Sequence, residues 1–142
     1  MQAKERKNFK HFHRIHTRWM DNDAYGHVNN VIYYSWFDTV VNQFLIVNGA
    51  LDIEKSPIIG LVIETQCNYL ASVKFPDVIT AGVSVIKLGN SSVRYEVGIF
   101  KNDEDSASAQ GHFVHVYVDR ETRKPTSIPD QMRNLLKTIQ AE

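Results

Sequence analysis

Apolar residues recur at every second position through most of the second half of the chain. Ile79, Ala81, Val83 and Val85 alternate over Val78 to Leu88, and Val93, Tyr95, Val97 and Ile99 do so over Ser92 to Lys101. Successive strand side chains point to opposite faces, so a period of two predicts half-buried strands. Ile58 to Leu70 and Ala107 to Asp119 read as two more, with turn residues at Pro76-Asp77, Gly89-Asn90-Ser91 and Asn102 to Asp105. Earlier in the chain, Phe9, His11, His13, Ile15, Thr17 and Trp19 share one parity, which predicts a first strand over Phe9 to Trp19. Met1 to Asn8 reads as a solvated lead-in.

One stretch has a different period. From Asn30 to Asn48 the polar residues Ser35, Asp38, Thr39 and Asn42 fall at helical spacing, and bulky residues such as Tyr33, Tyr34, Trp36, Phe37, Phe44 and Leu45 fill the rest. A helix apolar over most of its circumference is a buried one. Asn48-Gly49 supplies its stop, because glycine takes the left-handed cap at little cost. Strand, long helix and four long strands are satisfied together by an α+β fold, one curved antiparallel sheet around one buried helix. Pro125 and Pro129 close the sheet region, and Asp130 to Ala141 reads as a short C-terminal helix.

Composition narrows the function classes. At 142 residues without repeats or linkers, the chain reads as one domain spanning 1–142. Sixteen basic and sixteen acidic residues cancel, so no overall field favours nucleic acid or an anionic membrane. Ser35, Asp38, Thr39, Asn42 and Gln43 interrupt the longest apolar run, Val31 to Val47, which is not a membrane span. Met1 to Lys10 is charged and lacks the apolar segment of a secretory signal. Cys67 is the only cysteine, which fits a reducing compartment, and it reads as a small buried hydrophobe. A cytoplasmic location is expected.

The chemistry concentrates in Arg18-Trp19-Met20-Asp21-Asn22-Asp23-Ala24-Tyr25-Gly26-His27-Val28-Asn29-Asn30, directly before the helix. A helix start presents unpaired N–H groups and a partial positive charge. A carboxylate beside such an end suits attack on a carbonyl, with the helix end stabilising the oxyanion. Asp21 reads as a capping residue, and Asn29 as a tie between turn and helix. His27 is open to three roles: base, substrate-orienting donor or structural histidine. Glu64 interrupts a largely apolar run, which places it at a site or a sheet edge. His11 and His13 share a strand face, but no cysteine or carboxylate stands at ligand spacing, and the D-x-D pair also lacks further carboxylates; no metal site is expected.

These motifs resemble the hotdog-fold acyl-CoA thioesterases related to 4-hydroxybenzoyl-CoA thioesterase. The first signature is R-W-M-D-N-D-A-Y-G-H-V-N-N-V-I-Y-Y running into the long helix; the second is H-V-Y-V-D-R-E-T-R-K-P followed by I-P at Pro129. The resemblance implies a helix wrapped by an antiparallel sheet and hydrolysis of an acyl-CoA with no cofactor, coenzyme A arriving as part of the substrate. It carries the catalytic carboxylate onto Asp23, a partner onto His27, the carbonyl-polarising N–H onto Asn30 and a second glutamate onto Glu64. Some relatives carry a histidine where Asn30 stands, so mechanisms that need it do not transfer.

Substrate contacts are expected at Asn29, Tyr33, Lys74, Ser91 and Ser92. The family's nucleotide-gripping basic cluster is missing, with Gly89-Asn90-Ser91-Ser92 in that turn, and Lys74, Lys87 and Arg94 are the candidates to hold coenzyme A. A sheet of this order leaves a strand edge open, which predicts a homodimer or homotetramer with the site between copies. Two other functions fit the same scaffold: a thioesterase acting on acyl carrier protein, and a non-catalytic acyl-CoA binding module.

Overall fold

The computed structural model describes all 142 residues, as five strands and two α-helices with short 3-10 turns at Arg6–Asn8 and Trp19–Asp21. The strands are β1 (His11–His16), β2 (Ile58–Tyr69), β3 (Val78–Leu88), β4 (Ser92–Lys101) and β5 (Ala109–Asp119); the helices are α1 (Asn30–Val47) and α2 (Asp130–Lys137). All neighbouring strands run antiparallel, in the order β1-β3-β4-β5-β2. This is the hotdog arrangement, a long helix laid on one face of a single sheet.

The period of two read from the sequence is the period of the core. Ala81, Val83, Tyr95, Val97, Ile99, Ala109, Phe113 and Tyr117 share the inner face and join Trp36, Phe37, Val40, Val41, Phe44 and Leu45 of α1 in one cluster. Phe37, Val40 and Val41 are fully excluded from solvent, while Ser35, Asp38 and Thr39 keep the opposite side of the helix exposed. His11 ties β1 to α1, its Nε2 lying 2.7 Å from Gln43 Oε1 and its ring 4.9 Å from Phe44.

Boundaries differ from the sequence reading where a local contact overrides parity. The first strand covers only His11–His16. Trp19 leaves it for the 3-10 turn and is exposed. Phe9 lies over the outer face, where the paired glycines Gly82 and Gly98 leave a flat bed; a Cβ on Gly98 would come within 2.7 Å of its ring. There it meets Phe100 edge-on at 5.7 Å in a small second cluster with Ala107. The last strand begins at Ala109, and α2 ends at Lys137 because Val85 captures the next turn: Val85 N donates to Ile139 O and Ala141 N to Val85 O. No helix is long and apolar enough to cross a membrane.

One edge is open. β2 pairs only with β5, and a bulge between Val62 and Glu64 inserts Ile63. Val62 is 47% and Ile63 62% exposed on that edge.

Candidate active site

The stretch between β1 and α1 folds back on itself as a tight hairpin. Asn22 bridges Val28, Asp23 N donates to His27 O at 2.8 Å, and Gly26 N donates to Asp23 O at 3.1 Å. Gly26 has φ +82°, a left-handed conformation that explains a glycine there. The Asp23 carboxylate accepts from Tyr25 N at 2.8 Å through Oδ1 and is half-buried. Its other oxygen has no partner within the chain, so the side chain is aimed by its own turn while one oxygen stays free for chemistry.

Asp21 has a different job. It is 2% exposed, and it accepts from Arg18 N at 2.8 Å and from Arg18 Nε and Nη2 at 2.9 and 2.7 Å. Its backbone carbonyl accepts from Asn29 N, fixing the hairpin to the helix entry. Asn29 is the N-cap of α1, its Oδ1 accepting from Val31 N at 3.1 Å. That leaves the N–H of Asn30, first residue of the helix, with no partner in the chain. A free N–H at a helix start is the donor an oxyanion needs.

The end of β2 and the loop after it hold this unit from below. Val28 N donates to Val73 O, Phe75 N to Asn22 Oδ1, and Tyr69 Oη to Asn30 O. His27 is exposed and lines a polar groove of about 370 Å³ with Ser72, Lys74, Asp77, Lys101, Asn102 and Glu104. Lys101 donates to Ser72 O at 2.8 Å, whereas Lys74 makes no ion pair. Tyr33 is 3% exposed and meets Trp36 and Tyr69 edge-on at 4.8 and 5.0 Å, so its ring is part of the core floor beneath the helix start. Burial, then the neighbouring Cys67, pushes the Tyr33 hydroxyl up to about 12. Burial likewise pushes the Cys67 thiol up to about 11, far from a thiolate nucleophile at neutral pH.

Not every residue read from the sequence converges here. Asp23, His27, Asn29, Asn30, Tyr33 and Lys74 gather around the helix start. Glu64 does not: its register partner Val114 belongs to the sheet face away from α1. There Glu64 Oε2 lies 2.6 Å from His112 Nε2 and 3.6 Å from Arg94 Nη1. Ser91 and Ser92 lie at the opposite end of β4 from Lys101, about 30 Å away along a strand of that length. Lys87 and Arg94 are near that far end too.

The sequence reading missed a second cavity of about 220 Å³ under the C-terminal half of α1, lined among others by Leu45, Leu51, Ile59, Gly60, His115 and Tyr117. Its signal was present in the parity of β5, which puts His115 on the inner face with Phe113 and Tyr117.

Comparison with known proteins gives this geometry its family. The PA5185 protein from Pseudomonas aeruginosa strain PAO1 is 48% identical, with 99% of this chain and 98% of that one superposed at a TM-score of 0.96. The DHNA-CoA thioesterase from Staphylococcus aureus shares the fold at 22% identity and a TM-score of 0.78, over 89% of this chain and 86% of that one. The uncharacterized protein YsmA of Bacillus subtilis (strain 168) is 27% identical over 130 residues, 91% of this chain and 86% of its own. Residues 17–136 match the thioesterase-like superfamily, a span running from the start of the Asp23 hairpin segment to α2. The chain therefore belongs to the thioesterase-like superfamily, whose reaction class is thioester hydrolysis.

Proposed function

We propose that the protein is an acyl-CoA thioesterase in which Asp23 activates the attack and the Asn30 N–H receives the developing oxyanion. The observation that carries this reading is the pairing of a half-free carboxylate with an unpartnered helix-start N–H, both fixed by the same hairpin. In the general-base route Asp23 takes a proton from water as the water oxygen bonds to the thioester carbon. In the nucleophilic route Asp23 forms a mixed anhydride that water then opens. Either way the carbonyl oxygen gains charge beside Asn30, the C–S bond breaks, and coenzyme A leaves as a thiolate that takes up a proton. His27 and Lys74 flank the groove on the approach side. Lys74, whose ammonium forms no ion pair, is the cation for a phosphate of coenzyme A, and His27 orients the substrate.

The exposed β2 edge supports a two-copy arrangement. A second copy pairing antiparallel along β2, centred on its bulge, covers Val62 and Ile63. Such a two-fold lays the Ile58 end of one copy beside the Tyr69 end of the other. The second copy's Ser91 and Ser92, at the Ile58 end of the sheet, then approach the first copy's helix start, where within one chain they cannot reach.

Free-thiol release from acyl-CoAs, acetyl through palmitoyl with benzoyl types, measured beside Asp23→Asn, tests the reading. Turnover that depends on Asp23 supports it. Turnover that survives the substitution removes Asp23 from the mechanism, and a panel with no turnover removes the acyl-CoA substrate.

A further inference from the structure

The cavity under the C-terminal half of α1 is walled by Leu45, Leu51, Ile53 and Ile59 and holds about 220 Å³. An apolar cavity of about 150 Å³ already takes a benzene ring. At its floor His115 is 3% exposed, its ring 5.6 Å from that of Tyr117. The His115 Nδ1 lies 3.4 Å from Tyr117 Oη, which lies 3.2 Å from Tyr95 Oη. Tyr95 is fully buried, and Tyr117 is its only hydroxyl partner.

Proton counting along this chain fixes its direction. If His115 Nδ1 carried the proton, it would donate to Tyr117, and one of the two tyrosine hydroxyl protons would be left with no acceptor in the chain. An unpaired buried donor is destabilising, because it has given up water without gaining a partner. In the reverse sense Tyr95 donates to Tyr117 and Tyr117 to His115 Nδ1, and every interior donor is satisfied. The histidine then carries its proton on Nε2, which has no partner in the chain, and the residue lines the cavity. Burial holds the imidazole neutral, with its pKa pulled down to about 4, so the ring presents one N–H donor and no charge.

We infer that this cavity is the acyl-tail subsite, taking a ring-sized apolar group that carries a hydrogen-bond-accepting oxygen on its far side, read by the Nε2–H of His115. The inference rests on the acyl-CoA reading above. Asn42 of the cavity lies twelve residues beyond Asn30, about 18 Å along the helix. A thioester at Asn30 therefore does not use its own chain's cavity. The two-fold through β2 brings the second copy's Ile59 and Gly60, at the cavity rim, to the Tyr69 end where the first copy's thioester is held.

The test compares 4-methoxybenzoyl-CoA with 4-ethylbenzoyl-CoA, near-isosteres that differ in one acceptor oxygen, and reads the ratio of their kcat/KM. A neutral hydrogen bond gives the methoxy substrate an advantage of roughly three- to tenfold in wild type. His115→Phe keeps a planar ring, loses the donor, and brings the ratio to about one. A wild type without the preference, or a His115→Phe variant that keeps it, overturns the inference. Because each ratio is taken within one protein, partial loss of folded material cancels.

Gly60→Ala gives an independent arm, since its Cβ would stand 3.0 Å from the His115 ring and 3.2 Å from Tyr117. It lowers kcat/KM for both aromatic substrates relative to acetyl-CoA; an unchanged ratio to acetyl-CoA counts against the subsite. If neither CoA ester turns over in wild type, the thioesterase reading fails and the cavity is judged by binding. 4-Methoxybenzoate shifting the His115 Nε2 resonance, with 4-ethylbenzoate leaving it in place, sustains the pocket; no shift with either overturns it.

Discussion

Tyr69, the last residue of β2, donates its hydroxyl to the backbone carbonyl of Asn30, 3.0 Å away at the first turn of α1. The open sheet edge and the helix start are thereby joined by one side chain. Tyr69 also meets Tyr33 edge-on at 5.0 Å, so the contact is braced from the core side. The position of the helix start, with its unpartnered Asn30 N–H, depends on how the edge strand ends, and the edge strand is what a second copy would pair with.

Tyr69→Phe isolates that link. Losing one partly exposed hydrogen bond lowers stability by about 0.5–1.5 kcal/mol in denaturant titrations. Turnover falls more than this loss of stability explains, and kcat falls more than KM rises, because the N–H serves the transition state. Equal wild-type and variant kcat would detach Tyr69 from the site.

The two aspartates of the hairpin separate by role. Asp23→Asn preserves an acceptor for Tyr25 N, so its melting temperature stays close to wild type, while thiol release drops by roughly 10²- to 10⁴-fold. Asp21→Ala removes the buried carboxylate that accepts from the Arg18 N–H and guanidinium, and lowers unfolding free energy by about 1–3 kcal/mol. Thermal melts of the two variants side by side make the comparison, and a destabilised Asp23→Asn would merge the roles.

The buried His115 gives the fold a pH dependence of known sign. Its native pKa is about 4, whereas an unfolded histidine titrates near 6.5. Between these values the unfolded chain binds the proton and the native one does not, so stability is full above about pH 6.5 and is lost as pH falls toward 4. The loss attributable to His115 is on the order of 3 kcal/mol. In chemical denaturation from pH 7.5 to 4.5, His115→Phe has a shallower slope than wild type; identical slopes would exclude His115 as the source.

The β2 edge predicts the oligomer. Ile63→Lys places a charge at the bulge, where edge strands are commonly blunted. Sedimentation velocity then shows a monomer where wild type sediments as a dimer or larger species, and turnover falls with it if, as proposed, the site draws on both copies. A monomeric wild type at micromolar concentration would end the two-copy site.

Much of this was written in the order of residues. The period of two in β3 and β4, the polar stripe of Ser35, Asp38 and Thr39, and the stop at Asn48-Gly49 are local properties, and local sterics and burial decide them. The hairpin was legible for the same reason: Asp23, Gly26 and Asn29 act on backbone groups within a few positions of themselves. Phe9, Trp19 and the face taken by Glu64 were not, although the place of Glu64 on an edge strand was one of the two expected. Parity assigns a side chain to a face only while the strand continues and no bulge intervenes, and Ile63 shifts the register just before Glu64. Which strands become neighbours is set by contacts far apart in the chain. Only the tertiary structure could put β2 at the edge, Tyr69 under Asn30, and His115 at the end of a hydroxyl chain begun by Tyr95, twenty residues earlier.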